Sequence, residues 1–461
     1  MSSFDDNDVE QPLIDPESVS EPTSGNVVDG PEQEALVPVA TFIQEEPTFV
    51  ADASLYRPDK PNWNSKYISV GFALFTAIVF VVLLYSNSSS SGSNNDPESD
   101  TRMCPLTSNG WIAPAYANTS AFYEQCVDVT TQSTTNSNQR WTMSGALTVP
   151  HGTGPFPALL LMGGSGPTDM DGTAFEHNKA YKDLAWGLAS RGVVVLRVNK
   201  RTFQFGPQAF PNNSAELFTF SDEYTNDALS ALALLGGYDF VDAERLLLAG
   251  HSLGGEVAPH IAQLAGNVVK GLVLLAATPQ SLPDLLPWQY YYLSNFSMYW
   301  GELAAQCRDL IQNDTLTPDW VVNCGAINPA LVAFNMYGDY YLSGREYDPP
   351  TEKVAELVAT TPVLLLQGTA DYNVPYNMPS SIPSNNITDS VPTFQWWIEM
   401  FDDNPQVTLQ VYDGLSHYFM TAADTVDGFA TVTAEAARGN VDEAVVDDIV
   451  SWLTTTYTTR L

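Results

Sequence analysis

Leu246-Leu247-Leu248-Ala249-Gly250-His251-Ser252-Leu253-Gly254-Gly255 is the stretch on which the reading of this chain turns. An apolar run of strand length leads into G-x-S-x-G, and a helical apolar pattern then continues to about Leu264. The glycines permit a strained strand-to-helix turn that holds Ser252 Oγ out at the top of a sheet. A bare G-x-S-x-G also occurs in ordinary turns, so the flanking strand and helix carry the weight here. A serine hydroxyl alone is a weak nucleophile. It needs a base, an acid to orient that base, and N–H donors for the charge that develops.

The base follows from a short inventory, because the chain has five histidines: His151, His177, His251, His260 and His417. His251 belongs to the turn itself and is expected to point away from Ser252. His260 rides the following helix, where a half-buried, satisfied histidine is the plain expectation. His151 and His177 precede the serine strand. Only His417 follows a late strand, Val407–Val411, in Asp413-Gly414-Leu415-Ser416-His417-Tyr418-Phe419. One recurring chain order of such triads is serine, acid, histidine. Asp371 then fits as the acid, just beyond the apolar run Val363-Leu364-Leu365-Leu366. Its rivals are Asp402 and Asp403, which read as a solvated helix end and turn, and Asp413, which is close to His417 along the chain. For the oxyanion donors, one backbone N–H is expected from Leu253. The other is expected from Gly163-Gly164-Ser165-Gly166-Pro167, with Ser165 preferred and Gly164 second. A plain glycine-rich turn is the alternative there.

Outward from this stretch the punctuation is regular. Apolar runs recur at Ala158–Met162, Val193–Val198, Leu246–Ala249, Leu272–Ala277, Val363–Leu366 and Val407–Val411, with amphipathic stretches such as 175–190 and 226–235 between. Apolar strands alternating with helices predict an α/β fold with a mostly parallel sheet covered on both faces. Between Ala277 and Val363 lies a long aromatic-rich interval without a clear strand, read as an inserted, mostly helical cap over about 280–360. A smaller insertion is expected over 376–405.

These residues carry a family resemblance. Gly164-Ser165-Gly166-Pro167-Thr168-Asp169-Met170-Asp171-Gly172 is similar to the G-S-G-P-x-D-R-D-G loop of the bacterial EstD-type carboxylesterases, within the α/β-hydrolase superfamily. The likeness continues through Lys182-Asp183-Leu184-Ala185, Arg191-Gly192-Val193, Asn199-Lys200-Arg201, the Ser252 turn, Asp371 and His417, roughly residues 140–458. Two positions depart from it. Met170 stands where the loop carries Arg, removing a cation that could pair with Asp169 or Asp171, and Thr202 replaces the usual Gly. The resemblance implies ester hydrolysis through a Ser252–His417–Asp371 triad and an acyl-enzyme, with no cofactor and no metal. An acyl thioesterase or a serine exopeptidase of the same fold is the alternative chemistry. A non-catalytic cell-surface binding module is the alternative of another class, although such modules typically lose the serine or histidine that this chain keeps.

The N-terminal part reads differently. Residues 1–66 hold fourteen Asp/Glu against three Lys/Arg and are rich in Pro and Ser, the composition of a disordered acidic tail. Residues 67–85, YISVGFALFTAIVFVVLLY, carry no charge and as a helix would span about 28 Å, close to the hydrocarbon thickness. A single transmembrane helix is expected, followed by a flexible spacer at 86–103 and the folded body at 104–461. Arg57, Lys60 and Lys66 before the span place the N-terminus in the cytosol and the body in the lumen or outside. Cys104, Cys126, Cys307 and Cys324 all follow the span, and Cys104–Cys126 with Cys307–Cys324 is the simplest of three pairings. Sequons at Asn87, Asn118, Asn212, Asn295, Asn313 and Asn386 permit glycosylation without diagnosing it, because chance alone produces several. Glu10-Gln11-Pro12-Leu13-Ile14 resembles an acidic dileucine signal, with Val9 where the acid usually stands, so an endosomal or vacuolar membrane is one candidate destination.

Charge excludes one class of partner. With 54 acidic against 18 basic side chains the chain has a net charge of −36 and no basic cluster, so its field repels nucleic acid. The expected partners are the lipid bilayer and a small-molecule ester, with an apolar acyl or aryl group suggested by the aromatic cap.

Overall fold

Leu159, Leu160 and Leu161 show how an unbroken apolar run builds this body. Successive strand residues point to opposite faces. Leu160 joins one core with Leu196, Leu248, Leu272 and Leu365, while Leu159 and Leu161 join a second core with Val195, Leu247, Val273 and Leu364. A sheet with a core on each face needs strands that are apolar at nearly every position; four of the six runs are wholly so, and Arg197 in Val193–Val198 and Thr408 and Gln410 in Val407–Val411 interrupt the other two.

The computed structural model describes residues 110–132, 139–175, 177–209, 219–296, 343–344, 347–380 and 391–458. Its main sheet has eight strands: β1 (Phe122–Gln132), β2 (Arg140–Pro150), β3 (Phe156–Met162), β4 (Val194–Val198), β5 (Val241–His251), β6 (Gly271–Leu275), β7 (Val363–Gly368) and β8 (Val407–Tyr412). They lie in the order β1-β2-β4-β3-β5-β6-β7-β8. From β4 to β8 all pairings are parallel, in register through Leu196↔Leu160, Leu160↔Leu248, Leu248↔Leu272, Leu274↔Leu365 and Leu365↔Leu409. β1 and β2 form an antiparallel edge, with Leu147 of β2 opposite Leu196. The expected parallel sheet is therefore present, and the edge hairpin is an addition to it.

The helices are α1 (Ala180–Ala189), α2 (Arg201–Phe205), α3 (Asn226–Gly236), α4 (Leu253–Ala265), α5 (Leu282–Phe296), α6 (Pro350–Leu357), α7 (Gln395–Phe401), α8 (Val432–Glu435) and α9 (Glu443–Thr458). α1 and α9 cover one face of the sheet through Leu184, Leu188, Val446, Ile449 and Leu453. α3 and α4 cover the other through Leu232, Leu235, Val257 and Ile261. Burying one such leucine stabilises the fold by roughly 2 kcal/mol.

Within the expected cap, α5 and α6 are described, while 297–342 with Cys307 and Cys324 lie outside the described residues. α6 lies against α4, the helix that follows Ser252, where Gln263 Nε2 donates to Glu356 Oε2 at 3.0 Å, and so serves the sheet. α5 docks over the loop after β7: Trp288 Nε1 donates to the Tyr372 carbonyl at 2.7 Å, and Tyr292 Oη to that of Ala430 at 3.1 Å. The expected tail, membrane span and spacer (1–66, 67–85, 86–103), with Cys104, Asn87, Asn212, Asn313 and Asn386, also lie outside the described residues. Among the described residues no helix is long and apolar enough to cross a membrane. Cys126 sits on β1 opposite Ala146, and Asn118 and Asn295 are exposed.

Candidate active site

Parallel strands deliver their following loops to one rim, the carboxyl edge, where ligands bind in open α/β sheets. Gly163–Gly172 follows β3, Ser252 follows β5, Asp371 follows β7 and His417 follows β8. Four segments far apart in sequence meet there because the strand order sets β3, β5, β6, β7 and β8 side by side.

Ser252 has φ 55°, a left-handed conformation that a serine adopts only under constraint. Its amide donates to the Leu275 carbonyl at 2.9 Å, and its own carbonyl accepts from Gly255 and Glu256 as α4 begins. The turn is tight enough that a Cβ on Gly254 would lie 2.5 Å from the Gly163 carbonyl, which brings the loop after β3 against the elbow. The Leu253 amide, first in α4, has no hydrogen-bond partner among the described residues, and it sits at the positive end of the helix dipole.

Asp371 and His417 are paired. His417 Nδ1 donates to Asp371 Oδ2 at 2.7 Å, and both side chains are buried. Asp371 Oδ2 also accepts from Gln367 Nε2 at 3.1 Å, while Oδ1 accepts from the amides of Asn373 and Val374 at 2.8 and 2.9 Å. Burial opposes the charged imidazolium, yet Asp371 outweighs it and holds the His417 pKa above its usual value. The loops approach this closely because Gly368, ending β7, abuts the Leu415 backbone with no room for a side chain. The rival acids stand elsewhere: Asp402 and Asp403 are exposed after α7, and Asp413 is exposed with Oδ1 accepting from Thr369 Oγ1.

His251 has a contact that its place in the turn did not predict: its ring lies 4.5 Å from that of His417, with its Nε2–H donating to the His417 carbonyl at 2.8 Å. Its Nδ1 accepts from Tyr181 Oη at 3.1 Å. Burial, reinforced by neighbouring His417, pushes the His251 pKa down to about 3, so the ring is neutral and suited to this one-donor, one-acceptor role. Tyr181 Oη in turn accepts the Gly164 N–H at 2.9 Å. This corrects the second choice of oxyanion donor: the Gly164 amide is committed to Tyr181. The Ser165 amide has no partner among the described residues, and Ser165 is exposed at the rim. His260, as expected, is half-buried on α4, its ring 4.3 Å edge-on from Tyr347.

Glu435 of α8 is a buried carboxyl that the sequence reading passed over. It accepts from Asn373 Nδ2 at 3.4 Å and acts electrostatically on His417 and Asp371. Burial, partly countered by His417, raises its pKa to about 7. Nothing in the local sequence marks it, because α8 is a short helix brought in from the C-terminal region. The departures from the family loop also find a physical account. Asp171 pairs with Arg197 (2.5 Å), Lys179 (2.9 Å) and Lys182 (3.6 Å), so it does not need a cation at Met170. Asp169 accepts from Thr173, and Thr202 Oγ1 donates to Glu223.

Residues 150–430 match the sequence model of the Alpha/beta hydrolase family. Esterase EstD of Thermotoga maritima is 30% identical over 312 residues, covering 68% of this chain; the chain spans 65% of that relative's length. Among solved structures, Est1E from Butyrivibrio proteoclasticus is 14% identical, with a TM-score of 0.41 over 72% of this chain and 99% of that one. The alpha/beta hydrolase GrgF from Penicillium sp. sh18 is 14% identical, with a TM-score of 0.42 over 72% and 98%. The family match takes in the loop after β3, the serine elbow, the acid and the histidine, and this chain belongs to the alpha/beta hydrolase family.

Proposed function

We propose that this protein is a membrane-anchored serine esterase. The observation that carries the reading is the buried Asp371–His417 pair at 2.7 Å, on the same sheet rim as a serine at φ 55° on a strand-to-helix turn. Ser252 Oγ attacks the ester carbonyl and its proton passes to His417 Nε2. Asp371 fixes the tautomer by accepting Nδ1–H, and the amides of Leu253 and Ser165 receive the tetrahedral oxyanion. His417 returns the proton to the leaving alcohol, giving an acyl-enzyme. Water, deprotonated by the same imidazole, then releases the acid.

The substrate we propose is a small ester with an apolar acyl or aryl group, in keeping with the aromatic cluster of Trp288, Tyr292, Tyr372 and Phe429 where α5 meets the acid loop. The anchor is residues 67–85, with the body luminal or extracellular, disulfides among Cys104, Cys126, Cys307 and Cys324, and glycans at some of the six sequons. The test is labelling of the full chain by a fluorophosphonate, followed by a panel of aryl esters, acyl thioesters and aminoacyl amides. Esters should turn over fastest, and Ser252→Ala should abolish labelling and lower turnover at least about 10³-fold. Preference for thioesters or aminoacyl amides would replace the esterase assignment, and unlabelled Ser252 would remove the enzyme reading.

A further inference from the structure

The Gly164–Ser165 peptide is gripped by its carbonyl. Lys200 Nζ donates to Gly164 O at 3.0 Å, and Tyr224 Oη donates to the same oxygen at 2.7 Å. Lys200 Nζ also donates to Gly166 O at 2.8 Å and to Tyr224 Oη at 2.7 Å, and lies 3.2 Å from Glu223 Oε2. These four neighbours are all acceptors, since the Tyr224 proton is already given to Gly164 O. A neutral amine has two hydrogens to offer them and an ammonium three, so the acceptors and Glu223 favour the charged form against burial, which pulls the Lys200 pKa below its usual value. Glu223, itself buried, supplies the countercharge.

In a trans peptide the N–H points opposite to the C=O, and among the described residues the only cis bond is Gly154–Pro155. Anchoring Gly164 O on the Lys200 side therefore aims the Ser165 N–H to the other side. The neighbouring peptide is held as well, its Gly164 N–H bound to Tyr181. Gly164 itself abuts the elbow: a Cβ placed on it would lie 3.0 Å from Ser252 Cβ. A cation on the carbonyl also polarises the amide, making its N–H a stronger donor to a developing oxyanion. The geometry points to Lys200 as a positioning residue that sets both the direction and the strength of the Ser165 oxyanion donor, with Tyr224 as its second clamp. The inference deepens the esterase reading and rests on it.

The role differs from structural support in what it moves. A donor that acts on the transition state changes kcat and the affinity for tetrahedral adducts, and leaves ground-state binding nearly alone. The full chain in detergent is assayed with p-nitrophenyl acetate and with an alkyl trifluoromethyl ketone, which Ser252 captures as a tetrahedral oxyanion. Lys200→Met should lower kcat by about 10²-fold with KM within about threefold, and weaken the ketone by the same factor as kcat/KM. Tyr224→Phe, which removes one donor from Gly164 O and keeps the ammonium, should show the same pattern at about tenfold. A folded Lys200→Met with kcat within twofold of wild type, or with KM alone raised, overturns the inference. If Lys200→Met does not fold, unchanged kcat and ketone affinity in Tyr224→Phe overturn it. Turnover persisting in Ser252→Ala overturns the esterase reading together with this inference. Ser252-dependent turnover untouched by Lys200→Met overturns the inference alone.

Discussion

Asp371→Asn changes the electrostatics of the site with little change of shape. If the new side chain keeps its carbonyl on the Asn373 and Val374 amides, its NH2 must face His417 Nδ1 and Gln367 Nε2, both of which now donate to the carboxylate. Facing a donor, Nδ1 loses its proton to Nε2, and that tautomer cannot accept the Ser252 proton. The change also removes a charge next to the imidazolium formed during attack. Two unit charges about 4 Å apart at an effective dielectric near 20 interact by about 4 kcal/mol, or roughly 10³-fold in rate. Adding the tautomer effect, kcat should fall by about 10³–10⁴ with KM within about threefold. The fold should survive. Gln367 Nε2 also donates to the Val374 and Gly368 carbonyls at 2.9 and 3.1 Å and keeps those bonds, so losing its bond to Asp371 Oδ2 should cost about 1–3 kcal/mol of stability. Steady-state hydrolysis of a short aryl ester from pH 5 to 9 measures the effect, and the acid limb should move to lower pH as His417 loses the partner that raises its pKa. A loss under tenfold, or an equal loss from Asp413→Asn, would refute the assignment of the acid.

Glu435→Gln should shift the acid limb of kcat/KM to lower pH, because an ionised Glu435 helps hold the His417 pKa up; an unmoved limb would show that the two do not interact. The same variant tests linkage. The folded pKa of about 7 lies above the ordinary glutamate value of 4.5, so the folded state binds more protons between those values and stability falls as pH rises through that window. The variant should recover on the order of 3 kcal/mol of that loss at pH 8, seen in urea unfolding at pH 4 and pH 8. His251→Phe strands Tyr181 Oη–H and the His417 carbonyl in a buried site and should destabilise by about 2–4 kcal/mol, so an unchanged urea midpoint would contradict the relay. Gly254→Ala places a methyl 2.5 Å from the Gly163 carbonyl and should lower kcat at least about tenfold with a stability loss of about 1–3 kcal/mol; full activity would show that the loop can retreat. For the proposed topology, protease added outside sealed microsomes should leave the body intact and endoglycosidase should shift its mobility, and digestion of the body would reverse the orientation.

The sequence determined the parts of this protein that are local. Apolarity at every position of the Leu159–Leu161 and Leu247–Leu248 runs can be satisfied only by a sheet covered on both faces, so the parallel core was legible before any coordinates. The Ser252 turn was legible because its backbone needs glycines at fixed neighbouring positions. Asp371 and His417 could be named as a pair because each follows one of these runs. β1 and β2 were not legible: in β1 buried and exposed residues mix, as a half-solvated antiparallel edge requires, and no continuous apolar run marks it. What only the tertiary structure decided is contact between residues far apart in the chain. His251 faces His417 across 166 positions, Lys200 reaches back 36 residues to Gly164 O, and Glu435 comes to Asn373 from 62 residues on. A side chain's local sequence sets its type and its secondary structure, whereas its hydrogen-bond partner depends on strand order and loop path. No spacing rule within one segment could have shown that the Gly164 amide is taken by Tyr181 and its carbonyl by Lys200, while the Ser165 amide has no partner among the described residues.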